Sequence, residues 1–126
     1  MTAFRDTTFL AAGPASERSR SAAEDTVGYW RDYSGRLTFD LPGVAAADYP
    51  AVCYEVADAL GLAPDGEIVI GLDEMFRDFR RRDQVVGLEW DIWFDFMVTS
   101  KSEGSESLVQ DIAEWLSSSR WSESSK

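Results

Sequence analysis

Histidine is absent from this chain, and cysteine occurs once, at Cys53. The first absence removes the side chain most often used as a general base near neutral pH, and with it the commonest transition-metal ligand. The second excludes an intramolecular disulfide and a structural zinc site built from several thiolates. With no histidine to activate it, Cys53 reads as a buried structural thiol. Basic residues are scarce: 12 Lys and Arg stand against 23 Asp and Glu, a formal net charge of −11. A field of that sign repels nucleic acid and anionic membrane surfaces and speeds encounter with basic partners. It also serves plain solubility. No apolar run approaches the roughly 18 residues of a spanning helix. The N-terminus carries no basic segment leading into an apolar one, so neither membrane association nor secretion is expected and a cytoplasmic location is. Glycine-rich phosphate loops and a Gly-x-Ser-x-Gly elbow are missing too. No cofactor is expected.

What is present suits one globular domain. The chain has 126 residues, 44% of them hydrophobic and 13% aromatic, enough for a core without staples. Residues 1–26 read as poorly ordered: Gly13-Pro14 is a break, and Glu17 to Asp25 is small, polar and mixed in charge. Phe4, Phe9 and Leu10 could dock locally; the alternatives are a linker from something upstream or an inaccurate start codon. A single α+β domain is expected over 27–121, followed by a tail at 122–126.

Within the domain, Tyr29-Trp30 and Tyr33 precede a turn at Ser34-Gly35, and residues 36–41 alternate as a strand with Leu37, Phe39 and Leu41 inward. Asp48 as N-cap, Pro50 in the first turn, a stripe of Val52, Val56, Ala59 and Leu60, and Gly61 after it predict a helix over 49–60. Pro64-Asp65-Gly66 is a turn, and 67–71 a short β-branched strand. Residues 72–82 fit either a helix, with acids early and arginines late, or a strand whose Arg77 and Arg81 face Glu89 and Asp91 across a hairpin. Ser105 begins a second helix striped by Leu108, Val109, Ile112, Ala113, Trp115 and Leu116. Trp121 stands alone in a serine-rich tail, either folded back on the core or exposed. The sum is an antiparallel sheet of four to five strands with two helices packed on one face.

The most informative run is residues 86–98. Val86, Leu88, Trp90, Ile92, Phe94, Phe96 and Val98 take one parity; Gly87, Glu89, Asp91, Trp93, Asp95, Met97 and Thr99 take the other. Period-two alternation sends one set to a core and the other to an open face. As one strand, residues 85–99 would be about 50 Å long, well beyond the usual length. Two strands, 85–91 and 94–99, joined by a bend near 91–94 are therefore expected, although no Gly, Pro or Asn marks the turn.

The open set makes Glu89, Asp91, Trp93 and Asp95 the candidate partner-binding residues. Tryptophan is enriched at binding hot spots, and a ring among acids accepts a cation–π contact from Lys or Arg. The plainer alternative is a solvated outer face. The carboxylates are also spaced for acid–base work or for a hard cation, but no second constellation points to a substrate pocket. Arg77, Arg80, Arg81 and Arg82 form a basic island, conceivable as a phosphate site and more simply charge balance.

Gly87-Leu88-Glu89-Trp90-Asp91, then Trp93, then a Ser/Glu loop into Leu108-Val109 and Ile112-Ala113-x-Trp115-Leu116, resembles a pattern in small bacterial immunity-type proteins that accompany polymorphic toxins. The resemblance covers about residues 67–117. Ile92-Trp93-Phe94 stands where such proteins carry a polar, glycine-containing turn. It implies an inhibitor that binds a cognate toxin and blocks its active site, and the acidity suits a basic toxin. The expected function is thus a non-enzymatic binding protein with a basic protein partner. The alternatives are an accessory or homo-oligomeric structural domain and, third, a metal-dependent enzyme using surface carboxylates.

Overall fold

The computed structural model describes residues 28–123. The N-terminal segment 1–26, with Phe4, Phe9 and Leu10, and residues 124–126 of the tail lie outside the described residues. The architecture is α+β with antiparallel strand pairing, and the chain divides into two compact units after Phe39.

In the first unit, β1 (Tyr29–Arg31) pairs with the start of β2 (Leu37–Leu41), setting Tyr29 opposite Phe39 and Arg31 opposite Leu37. The turn between them is built by Asp32. Its carboxylate accepts the backbone N–H groups of Ser34 and Arg36, both at 2.9 Å, and Gly35 supplies the positive φ of 83°. The Tyr29 and Phe39 rings meet at 5.2 Å between centroids. Leu37, Phe39 and Leu41 are all buried, as their alternation implies.

In the second unit, a 3-10 turn at Ala46–Asp48 leads into α1 (Tyr49–Leu60), which ends on Gly61 in the left-handed region at φ 71°. The two-residue strands β3 (Ala63–Pro64) and β4 (Val69–Ile70) both pair with β5 (Glu74–Arg81). Then come β6 (Gln84–Asp91), β7 (Asp95–Ser100), α2 (Glu106–Ser117) and the short α3 (Arg120–Glu123). The spatial order in this unit is β7-β6-β5-β3, with β4 beside β3 along β5. Residues 72–82 therefore resolve as a strand entered through a turn. The helical spacing of Leu72, Met75, Phe76 and Phe79 loses to the long ladder that β5 makes with β6.

One face of β6 and β7 carries Val86, Leu88, Phe96 and Val98, all fully buried. Both longer helices lie over it. Tyr49 at the start of α1 donates its hydroxyl hydrogen to the Leu88 carbonyl oxygen and tilts against the Phe96 ring at 6.1 Å. The α2 stripe of Leu108, Val109, Ile112, Ala113 and Leu116 is buried against β7 and β6. Trp121 resolves as folded back: it is 4% exposed, and its indole N–H donates to Glu55 of α1 at 2.9 Å. Glu55 also accepts from Arg120 at 2.7 Å, and that guanidinium lies 4.0 Å from the Trp121 ring centre. These two bonds hold the Glu55 carboxyl below the usual carboxylate range, the Arg120 bond first. Among the described residues no helix is long and apolar enough to cross a membrane.

Candidate functional site

The run 86–98 folds as a hairpin, not a continuous strand, and its turn is made by aspartates. The Asp91 carboxylate accepts the N–H of Trp93 at 2.9 Å and of Phe94 at 2.8 Å. Asp95 closes the turn at φ 62°, a conformation that aspartate tolerates better than most residues. Its carboxylate also accepts the Gly43 N–H at 2.6 Å. The alternation consequently breaks at the tip. Ile92, assigned by parity to the core, is 50% exposed, and Phe94 is half-buried. The open-face set is only partly open, because Gly87, Met97 and Thr99 are buried.

The four candidate partner-binding residues separate accordingly. Glu89 lies mid-strand with a side chain 23% exposed, 3.3 Å from the Lys101 ammonium, which also lies 3.9 Å from Asp78. Burial raises its carboxyl above the ordinary range, and Lys101 pulls the other way. The Lys101 methylenes and the Glu89 carboxylate crowd the space over Gly87. Asp91, Trp93 and Asp95 gather instead at the β6–β7 tip, the two acids turned toward backbone N–H groups and Trp93 74% exposed. Arg77 and Arg81 do not face the acids of β6: Glu89 stands opposite Phe76, and Asp91 opposite Glu74. The basic island is dispersed. Arg80 pairs with Asp65 at 3.4 Å, Arg81 with Asp111 at 3.0 Å, and Arg77 donates to the Gly66 carbonyl oxygen at 2.9 Å. Among the described residues no three His, Cys, Asp or Glu side chains gather as a metal ion requires.

A second tip, which the sequence did not single out, adjoins the first. The turn between β4 and β5 is closed by Gly71 N–H to Glu74 O at 2.8 Å, and Ile92 N–H donates to Asp73 O at 3.2 Å. Leu72 is fully exposed, and Ile70 is 68% exposed. The end of the sheet thus presents Leu72, Ile92 and Trp93 flanked by Asp73, Glu74, Asp91 and Asp95. Residues 72–74 were hidden by the helical spacing of that stretch. Leu72 directly before the acid pair Asp73-Glu74 was the available signal.

The inner side of β5 borders a cavity of about 340 Å³ lined by Tyr49, Cys53, Tyr54, Ile68, Arg77 and Phe79 among others. Cys53 is buried, as expected, and burial pushes its thiol up to about 12, far from a thiolate at neutral pH. Tyr49 is raised as well, by burial and then by Cys53. Burial thus favours the neutral form of both groups, and the cavity is lined mainly by apolar and aromatic side chains. The chain matches no family model, and no curated protein and no solved structure is significantly similar to it.

Proposed function

We propose that this chain is a non-enzymatic binding protein that docks a basic protein partner on the acid-flanked end of its sheet. The observation that carries this reading is the pair of adjoining turns: Leu72, Ile92 and Trp93 are exposed there, and Asp73, Glu74, Asp91 and Asp95 belong to the same two turns. Exposed apolar groups gathered at one place and rimmed by polar ones mark interaction sites more often than chance. A net charge of −11 steers a basic protein toward them and opposes a second copy of the chain. In this reading Trp93 is the anchor, with Leu72 and Ile92 beside it. Asp91 and Asp95 hold the anchor in place and contribute field. Glu89, set back on the sheet and held by Lys101, contributes only field. The immunity-type resemblance gives the partner a class, a toxin whose active site is covered on binding.

The test uses the full chain as immobilised bait in lysate of its source organism, beside Trp93→Ala and Leu72→Ala. A basic protein retained by wild type, released by raised salt and lost from both variants supports the reading. Equal retention by the variants overturns it. Light scattering that shows a dimer abolished by Trp93→Ala would give the surface to self-association instead.

A further inference from the structure

We infer that β4 is a landing edge for an extended segment of the partner, which adds to the sheet as a further strand and sets an apolar side chain into the cavity beside α1. This rests on the partner-binding reading and specifies its mode. Among the described residues, β4 pairs only with β5. In an antiparallel ladder, residues alternate between those bonded to the neighbour and those turned away. Gly71 is bonded to Glu74, and Val69 stands opposite Phe76, so Ile70, between them, directs its N–H and C=O away from β5.

Such an edge is a template for another strand, and proteins ordinarily blunt it with charge or proline. Pro64 does so for β3. Ile68-Val69-Ile70 has no such device, and all three side chains are exposed. Ile70 shares a face with Met75, the α1 side, and by alternation so does Ile68, which lines the cavity. A strand laid along β4 would therefore send alternate side chains over the mouth formed by Tyr54 and Ile68. Backbone pairing with pockets for alternate residues is an established recognition mode.

Charge selects the occupant. Glu67, Asp73 and Glu74 are exposed along this edge, and among the described residues none of them forms an ion pair. Glu67 falls on the face opposite the cavity. A segment alternating Lys or Arg with large apolar residues satisfies both faces at once. A second copy would bring Glu67 against Asp73 and Glu74, like against like.

The probe is a set of short synthetic peptides alternating lysine with valine, with Phe, Leu, Ile or Trp at the central apolar position. Amide spectra of the full chain are followed during titration. The expected result is saturable shifts at residues 67–70 and around the cavity, with slowed exchange of the Ile70 amide. Methylating the peptide nitrogens that face β4 should weaken binding about tenfold or more, as loss of one or two backbone bonds implies. Ile70→Pro removes an outward N–H at an edge where proline is tolerated, so it should abolish binding with the fold retained. Binding indifferent to methylation and to Ile70→Pro overturns the inference. So does the absence of shifts with every peptide, or concentration-dependent self-pairing at β4 without peptide. Shifts confined to Leu72, Ile92 and Trp93 would sink strand addition and leave the tip reading intact. Loss of lysate capture in Ile70→Pro but not in Trp93→Ala would do the reverse.

Discussion

Two tryptophans look alike in the sequence and end in opposite surroundings. Trp121, in the serine-rich tail, is buried, hydrogen-bonded to Glu55 and covered by the Arg120 guanidinium. Trp93, at the β6–β7 tip, is 74% exposed, although three bonds to aspartate carboxylates hold its turn. In the tail, the polar bonds bring the ring to the core. At the tip they hold the backbone of a turn whose ring stands largely in water. A rigid support for an aromatic group that the fold does not use is what a binding anchor requires, since little ordering cost remains at docking.

The contrast is sharpest in stability. Trp121→Ala should cost about 3 to 5 kcal/mol, read from urea unfolding, because it empties a buried site. A loss below about 1 kcal/mol would put the tail in the same class as the tip. Asp95→Val should cost about 1 to 3 kcal/mol, chiefly from a branched side chain at positive φ, with a smaller share from the exposed Gly43 N–H exchanging its carboxylate for water. Asp95→Gly should recover part of that loss, and full recovery would remove the Gly43 bond from the account.

The two regions also carry carboxyls shifted in opposite directions. Glu55, held low by Arg120 and Trp121, contributes stability above the ordinary value of about 4.3 and loses it as pH falls through its folded pKa. Glu89, held high by burial, contributes below that value and loses its contribution as pH rises through its folded pKa. Carboxyl carbon titration by NMR should place Glu55 below and Glu89 above about 4.3, and a reversed order would discard both assignments. Smallest of all in stability is Trp93→Ala, expected within about 0.5 kcal/mol of wild type in the same unfolding experiment. A larger loss would mean that the tip ring is structural after all.

How much of this could be read beforehand follows the physics of each signal. The helix over 49–60 and the buried stripe of the second helix were legible from Pro50, Gly61 and the apolar periodicity, although Asp48 and Ser105 make no side-chain cap bond and Ala59, counted in the first stripe, is exposed. The break in the 85–99 run was legible from length alone. Its effect on Ile92 was not, because a turn made by aspartate side chains leaves no glycine or proline to mark it. The strand at 74–81 was undecidable locally: its pairing with β6 is settled by tertiary contact, and a helical stripe of Leu72, Met75, Phe76 and Phe79 competes with it on paper. The candidate site was half visible for the same reason. Trp93 and its acids could be named, whereas Leu72, Asp73 and Glu74 join them through the β5–β6 ladder, where Glu74 stands opposite Asp91, and through the hydrogen bond from Ile92. The cavity needed three separated segments and could not be assembled from spacing.

Gly87 has a reach beyond its own position. A Cβ there would stand 2.6 Å from a Glu89 carboxylate oxygen and 2.8 Å from the Lys101 Cε. Enlarging the residue by one carbon would force the Glu89 carboxylate and the Lys101 methylenes to shift, around an acid whose burial already favours its neutral form. A methyl group at position 87 would thus disturb the contact between Glu89 and Lys101, which opposes the rise that burial imposes on that carboxyl.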